Sequence, residues 1–194
     1  MIILKSTSNA SNWPVYHAGL TNPEQKLLLL SSTNSETDIT TYWNDTKPTS
    51  SVFSLGTDQN ANGAYDFVAY CFAPVEGYSA MGKYQGNGSA DGPFVHTGFK
   101  PAWIMIKSTD GAEHWRIVDS TRDPINPADA ELYANTNSGE SDSDLLDILS
   151  NGFKIRVNYS GSNSNGHEYI YMAFAEHPVN TPIESTSDGD TQVS

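Results

Sequence analysis

One stretch of apolar sequence occurs twice in this chain. Met1-Ile-Ile-Leu-Lys-Ser-Thr returns 102 residues later as Trp103-Ile-Met-Ile-Lys-Ser-Thr, and the same offset carries Lys5 onto Lys107 and Trp13 onto Trp115. Towards the far ends, Asp66-Phe-Val-Ala-Tyr-Cys-Phe-Ala falls on Glu168-Tyr-Ile-Tyr-Met-Ala-Phe-Ala, again 102 residues on. A chance match would drift over about a hundred residues, so one constant offset marks a repeated unit. The chain divides into a first repeat (1–76), a connector rich in glycine and aromatic residues (77–102), a second repeat (103–179) and a polar, acidic tail (180–194) expected to be disordered.

The local pattern is that of strands. No segment sustains a 3.6-residue period, and short apolar or alternating runs are separated by Gly, Asn, Ser and Pro. Strands are expected at Met1–Leu4, around Trp13, and at Leu27–Leu30, Ile39–Trp43, Val52–Leu55 and Tyr65–Ala73. In the second repeat they are expected at Trp103–Lys107, Trp115–Val118, Glu131–Ala134, Phe153–Tyr159 and Glu168–Glu176. Asn62-Gly63 and Asn165-Gly166 read as hairpin tips, and Ser143–Ser150 as one short helical turn. The expected fold class is all-β: a β-sandwich, lectin-like or jelly-roll-like, built from two pseudo-symmetric repeats. The pattern leaves open whether the repeats form one sandwich or two.

Charge narrows the partners. Ten Lys and Arg face 23 Asp and Glu, a formal net charge of −13, so nucleic acid and anionic membrane surfaces are repelled. The longest apolar run, Leu27–Leu30, is far too short to cross a membrane as a helix. The one cysteine, Cys71, sits in an apolar run and aligns with Ala173, which predicts a small core residue rather than a reactive thiol.

Three groups of residues are candidates for function. Met1, Ile2, Ile3 and Leu4 form a strand without the Gly-Phe-Lys-Pro-Ala lead-in of its second copy, which predicts an assembly edge extended by a neighbouring subunit. Asp58, Asn60, Asn62 and Asp66 have the opening spacing of an oxygen-ligand calcium loop. The closing Glu of such a loop is missing, and an Asn-Gly hairpin explains the same residues, so both readings stand at this point. Tyr42 and Trp43, alone in a polar segment, together with Tyr78 and Tyr84 of the connector, are the aromatic candidates for stacking on a glycan. Trp13 and Trp115 are equivalent in the repeat and are expected in the core. The connector's glycines are expected to supply positive φ or close backbone approach. Neither a nucleophile motif, a zinc motif nor a phosphate loop is present, and the histidines lack ligand spacing. The expectation is a protein that is not an enzyme and needs no cofactor, calcium aside.

The connector and its flanks also carry a resemblance. Gly77-Tyr-Ser, Gly82-x-Tyr-x-Gly-Asn-Gly, Asp91-Gly-Pro-Phe-Val and Thr97-Gly-Phe-Lys-Pro-Ala-Trp-Ile-Met-Ile-Lys, followed by Asn151-Gly-Phe and Tyr169-Ile-Tyr-Met-Ala-Phe-Ala-Glu, resemble an all-β domain family of bacteriophage virion proteins, typically of marine and cyanobacterial phages. The resemblance covers the chain to Pro178. It implies a structural protein of a tail fibre, an appendage or a capsid decoration, located in the virion. It further implies assembly as a homo-oligomer or with other virion proteins, and contact with the host surface. The alternative is a carbohydrate-binding, lectin-like module that recognises a host-surface glycan. The resemblance carries over no catalytic residue.

Overall fold

The structure, a computed structural model, describes residues 1–178; the expected tail at 180–194 lies outside the described residues. Two antiparallel sheets account for nearly all regular structure. The first contains β1 (Ile2–Ser6), β2 (Pro14–Tyr16), β3 (Lys26–Leu29), β4 (Thr37–Asp38) and β5 (Phe67–Cys71), in the order β4-β3-β2-β1-β5. The second contains β6 (Ser79–Gln85), β7 (Phe94–His96), β8 (Pro101–Ser108), β9 (Arg116–Asp119), β10 (Ala128–Tyr133), β11 (Ser141–Leu149), β12 (Gly152–Ile155) and β13 (Glu168–Ala175). Their order is β6-β13-β8-β9-β10-β11-β12-β7. The all-β class is therefore as the sequence predicts.

The larger sheet departs from a sandwich by curling on itself. Phe153 of β12 packs on Tyr84 of β6 and Tyr171 of β13, with ring centroids 6.2 and 5.5 Å apart, although β12 and β6 stand near opposite ends of the strand order. All eight strands send side chains into one interior, among them Val95, Ile104, Val118, Leu146, Ile155 and Tyr169. The result is a nearly closed barrel. Period-2 alternation then places the other side of β8 and β13, with Met105, Ile170 and Met172, against Met1, Ile3, Val15 and Leu28 of the smaller sheet. The smaller sheet's outer side (Ile2, Leu4, Tyr16, Leu27) is covered in turn by the segment carrying Tyr42, Trp43 and Ala61.

The connector is part of the barrel. It supplies both edge strands of the large sheet, and the chain between them is held by Asn163, which is fully buried. Asn163 Nδ2 donates to Ser89 O (2.6 Å) and Val157 O (2.9 Å), and its Oδ1 accepts from Asn87 N (2.8 Å). Gly86 is needed for close approach, because a Cβ there would lie 2.3 Å from Ser164 O, and Gly88 adopts φ +66°.

Pairing in the two halves coincides. Ile2 faces Tyr16 and Cys71, and 102 residues later Ile104 faces Val118 and Ala173. Lys26 faces Asp38 as Ala130 faces Asp142, at an offset of 104. Thr7 N donates to Asp66 O (2.8 Å) as Thr109 N donates to Glu168 O (3.0 Å).

Several local expectations are corrected. Asn62-Gly63 is not a hairpin tip: Asp58 caps a single helical turn, α1 (Gln59–Asn62), accepting from Asn60 N at 2.8 Å. Residues 141–149 extend as β11, because Leu145, Leu146 and Ile148 fill the barrel. Ile39–Trp43 and Val52–Leu55 form no strand.

Candidate functional site

The predicted assembly edge is an interior strand. β1 is paired with β2 on one side and β5 on the other, and Met1, Ile2, Ile3 and Leu4 are all buried. Both faces of the strand are covered, Met1 and Ile3 by the barrel and Ile2 and Leu4 by the segment around Trp43. A run apolar on both faces is what such a position requires.

The edges of this sheet are β4, two residues long, and the longer β5. Phe72 N donates to Met1 O (2.8 Å) and Thr7 N to Asp66 O (2.8 Å). Antiparallel alternation therefore turns the N–H and C=O of Val68 and Tyr70 towards β1, and those of Phe67, Ala69 and Cys71 outward. Among the described residues nothing pairs with that side. At the equivalent positions of the second half, Tyr169, Tyr171 and Ala173 face Tyr84, Gly82 and Ala80 of β6. Burial follows pairing. Ala173 is buried and Met172 is 5% exposed, whereas Cys71 is exposed and Tyr70 is 45% exposed. Cys71 is thus an edge residue, not the core residue that its alignment with Ala173 predicts. β5 contains no Lys, no Pro and no bulge, the usual devices that keep an edge from pairing.

The aromatic candidates part company. Trp43 is 1% exposed and its indole N–H donates to Lys26 O at 2.9 Å; Tyr42 is 5% exposed. Tyr84 lies in the barrel core, where its hydroxyl donates to Ser162 O at 2.8 Å and burial pushes its pKa up. With no ring face open to solvent, none of the three is a stacking platform. Their polar sequence surroundings fold back over apolar sheet faces. Tyr78 is 46% exposed, against Phe174. The calcium reading is corrected as well. Asn60 donates to Asp58 and to the Tyr42 hydroxyl, and Asn62 donates to Gly56 O, so these side chains cap a helical turn instead of converging on a cation. Among the described residues no group of three or more His, Cys, Asp or Glu is arranged to hold a metal.

The buried ionisable groups cross-link the fold. His17 Nδ1 accepts from Gly19 N (3.0 Å), which fixes the proton on Nε2, and Nε2 donates to Tyr171 O (3.1 Å) across the sheet interface. Burial pushes its pKa down to about 4. Lys107 is fully buried and gives its three protons to the carbonyls of Ser108 (2.8 Å), Thr33 (3.1 Å) and Gly111 (3.2 Å); burial pushes it down to about 8. Arg116 pairs with Glu131 inside the barrel, its guanidinium 4.4 Å from the Tyr159 ring centroid. Glu131 also accepts from Tyr133 and Ser143. Each group is engaged by the fold.

Fold and edge together define an all-β domain in which, among the described residues, β5 is a long sheet edge with no partner on its outer side. The chain belongs to the family of a domain of unknown function, DUF7483, whose model matches residues 1–178. No curated protein and no solved structure matches it.

Proposed function

We propose that the chain is a non-enzymatic structural protein whose copies join through β5. The observation that carries this is the outward row of N–H and C=O groups on Phe67, Ala69 and Cys71, where β13 has β6. A second β5, antiparallel about a two-fold axis at Ala69, satisfies the whole row. Ala69 faces its own copy, Phe67 faces Cys71, and Val68 faces Tyr70, a β-branched residue against an aromatic one. The resemblance read from the sequence supports a bacteriophage virion as the setting of such an assembly.

The test is solution mass by light scattering. Wild type is expected at twice the chain mass of 21.1 kDa. Ala69→Pro is expected to be a folded monomer, because the lost N–H points outward and the β1 ladder keeps its bonds. With Cys71 replaced by Ser, Ala69→Cys is expected to form a disulfide-linked dimer under oxidising conditions. A wild-type monomer at every concentration, or an Ala69→Pro protein that still dimerises, overturns the proposal.

A further inference from the structure

We infer that the cleft beside Trp13 binds a neutral carbohydrate. This surface is separate from the β5 backbone edge, and the inference does not rest on that pairing. The cleft has a volume of about 540 Å³, between Trp13, Leu30 and Ser31 of one half and residues 134–137 of the other. Small-ligand sites span about 300–1,000 Å³, so there is room for more than one sugar ring.

The two halves make the cleft unequal. Trp13 N donates to Ser31 Oγ (3.3 Å) and Trp115 N to Asn135 Oδ1 (3.0 Å). Leu30 N donates to Trp13 O (2.9 Å) and Ala134 N to Trp115 O (3.0 Å). The backbone is thus anchored alike at the two tryptophans. Their rings are not treated alike. Trp115 is 1% exposed, and its indole N–H donates to Leu29 O at 2.9 Å. Trp13 is half-buried, and its indole N–H has no acceptor among the described residues. A ligand at Trp13 takes the place that β3 occupies at Trp115.

The chemistry of the lining selects a neutral polyhydroxyl compound. Among the described residues the cleft lining holds no acidic or basic side chain, in a chain of net charge −13, and Lys5 meets the cleft only through the Trp13 ring. Trp13 is held in place: the Tyr70 ring lies 6.5 Å away within 18° of parallel, and Lys5 Nζ lies 5.7 Å from its ring centroid. An aromatic face with negative π-density receives the polarised C–H bonds of a sugar ring, and a fixed platform lowers the ordering cost of binding. Asn135 is spent within the protein, its Oδ1 on Trp115 N and its Nδ2 against His114 Nδ1. Asn137 is exposed, and its amide has no partner among the described residues, so it presents both a donor and an acceptor to ring hydroxyls.

The test is saturation-transfer NMR with cellotriose, maltotriose, mannotriose and chitotriose, and with sialyllactose as the acidic comparator. At least one neutral trisaccharide is expected to bind. Trp13→Ala is expected to weaken it by about tenfold or more, and Asn137→Ala by several-fold. Tyr65→Ala, which alters an exposed ring outside the cleft, is expected to leave binding unchanged. Absence of binding by every neutral sugar overturns the inference. So does undiminished binding in either cleft variant, or a preference for sialyllactose. Among the described residues Asn137 makes no hydrogen bond, so its variant tests the site even where Trp13→Ala destabilises the fold.

Discussion

The sheet β4-β3-β2-β1-β5 and the run β11-β10-β9-β8-β13 share strand order and, across three of their four pairings, register within one offset. Yet one ends in the open and the other is sealed. β13 has β6 on its outer side, and every residue from Tyr169 to Ala173 is buried; β5 has no described strand on its outer side, and Ala69, Tyr70 and Cys71 are exposed. The connector was spent on one half only. Strand pairing, more than side-chain identity, decides which residues of a unit become core. Phe67-Val-Ala-Tyr-Cys and Tyr169-Ile-Tyr-Met-Ala are about equally apolar, and their burial still differs throughout.

Substitutions at equivalent positions sharpen this contrast. The largest difference is expected at the tryptophans. Trp115→Ala should cost about 3–5 kcal/mol in urea unfolding, since a fully buried indole and its bond to Leu29 O are lost. Trp13→Ala, at a partly buried ring packed on the edge of the same cluster, should cost less. Equal costs would mean that the halves are packed alike after all.

The next effect tests the seam between the sheets. His17 has a folded pKa of about 4, below its ordinary 6.5. The unfolded chain therefore takes up a proton first as pH falls. The stability from neutral His17 is complete above pH 6.5, is lost between pH 6.5 and 4, and amounts to about 3 kcal/mol. Unfolding curves at pH 7.5 and 4 should show a fall in wild type that is smaller, by that amount, in His17→Gln.

The smallest contrast is between the lysines. Lys107→Met strips a donor from three carbonyls and should cost about 2 kcal/mol. Lys5→Met, whose ammonium meets one carbonyl at the sheet margin, should stay within about 0.5 kcal/mol.

The sequence was most readable where the signal is periodic. The apolar run at Glu168–Ala175 reads as a strand, and the structure sends Tyr169, Tyr171 and Ala173 into the barrel and Ile170 and Met172 to the sheet interface. The constant offset pointed to matching positions whose pairing coincides. What could not be read was which edges meet. Ile2–Ser6 is sandwiched by β2 and by β5 more than sixty residues away, and nothing local reports such a partner. Tyr42 and Trp43 sit among Thr, Asn and Asp, so their neighbours describe a loop; their burial comes from Leu4, Tyr16 and Leu27 beneath them. Trp13 is expected in the core because it matches Trp115; its backbone anchors match, and its ring packs against the same cluster as Trp115 but is only partly buried. Asn62-Gly63 gave a hairpin signal that the Asp58 cap outweighed.

The place of β13 has a consequence for how the protein is made. Among the described strands it is the last to be synthesised, yet it lies between β6 and β8 and carries bonds to both. On the ribosome, the strands on either side of it wait with their facing edges bare until residues 168–175 emerge. Barrel closure is therefore a late, long-range event, and a nascent chain stalled short of Glu168 carries more unpaired edge than the finished protein. In that interval the growing chain is most exposed to pairing with its neighbours on the same message.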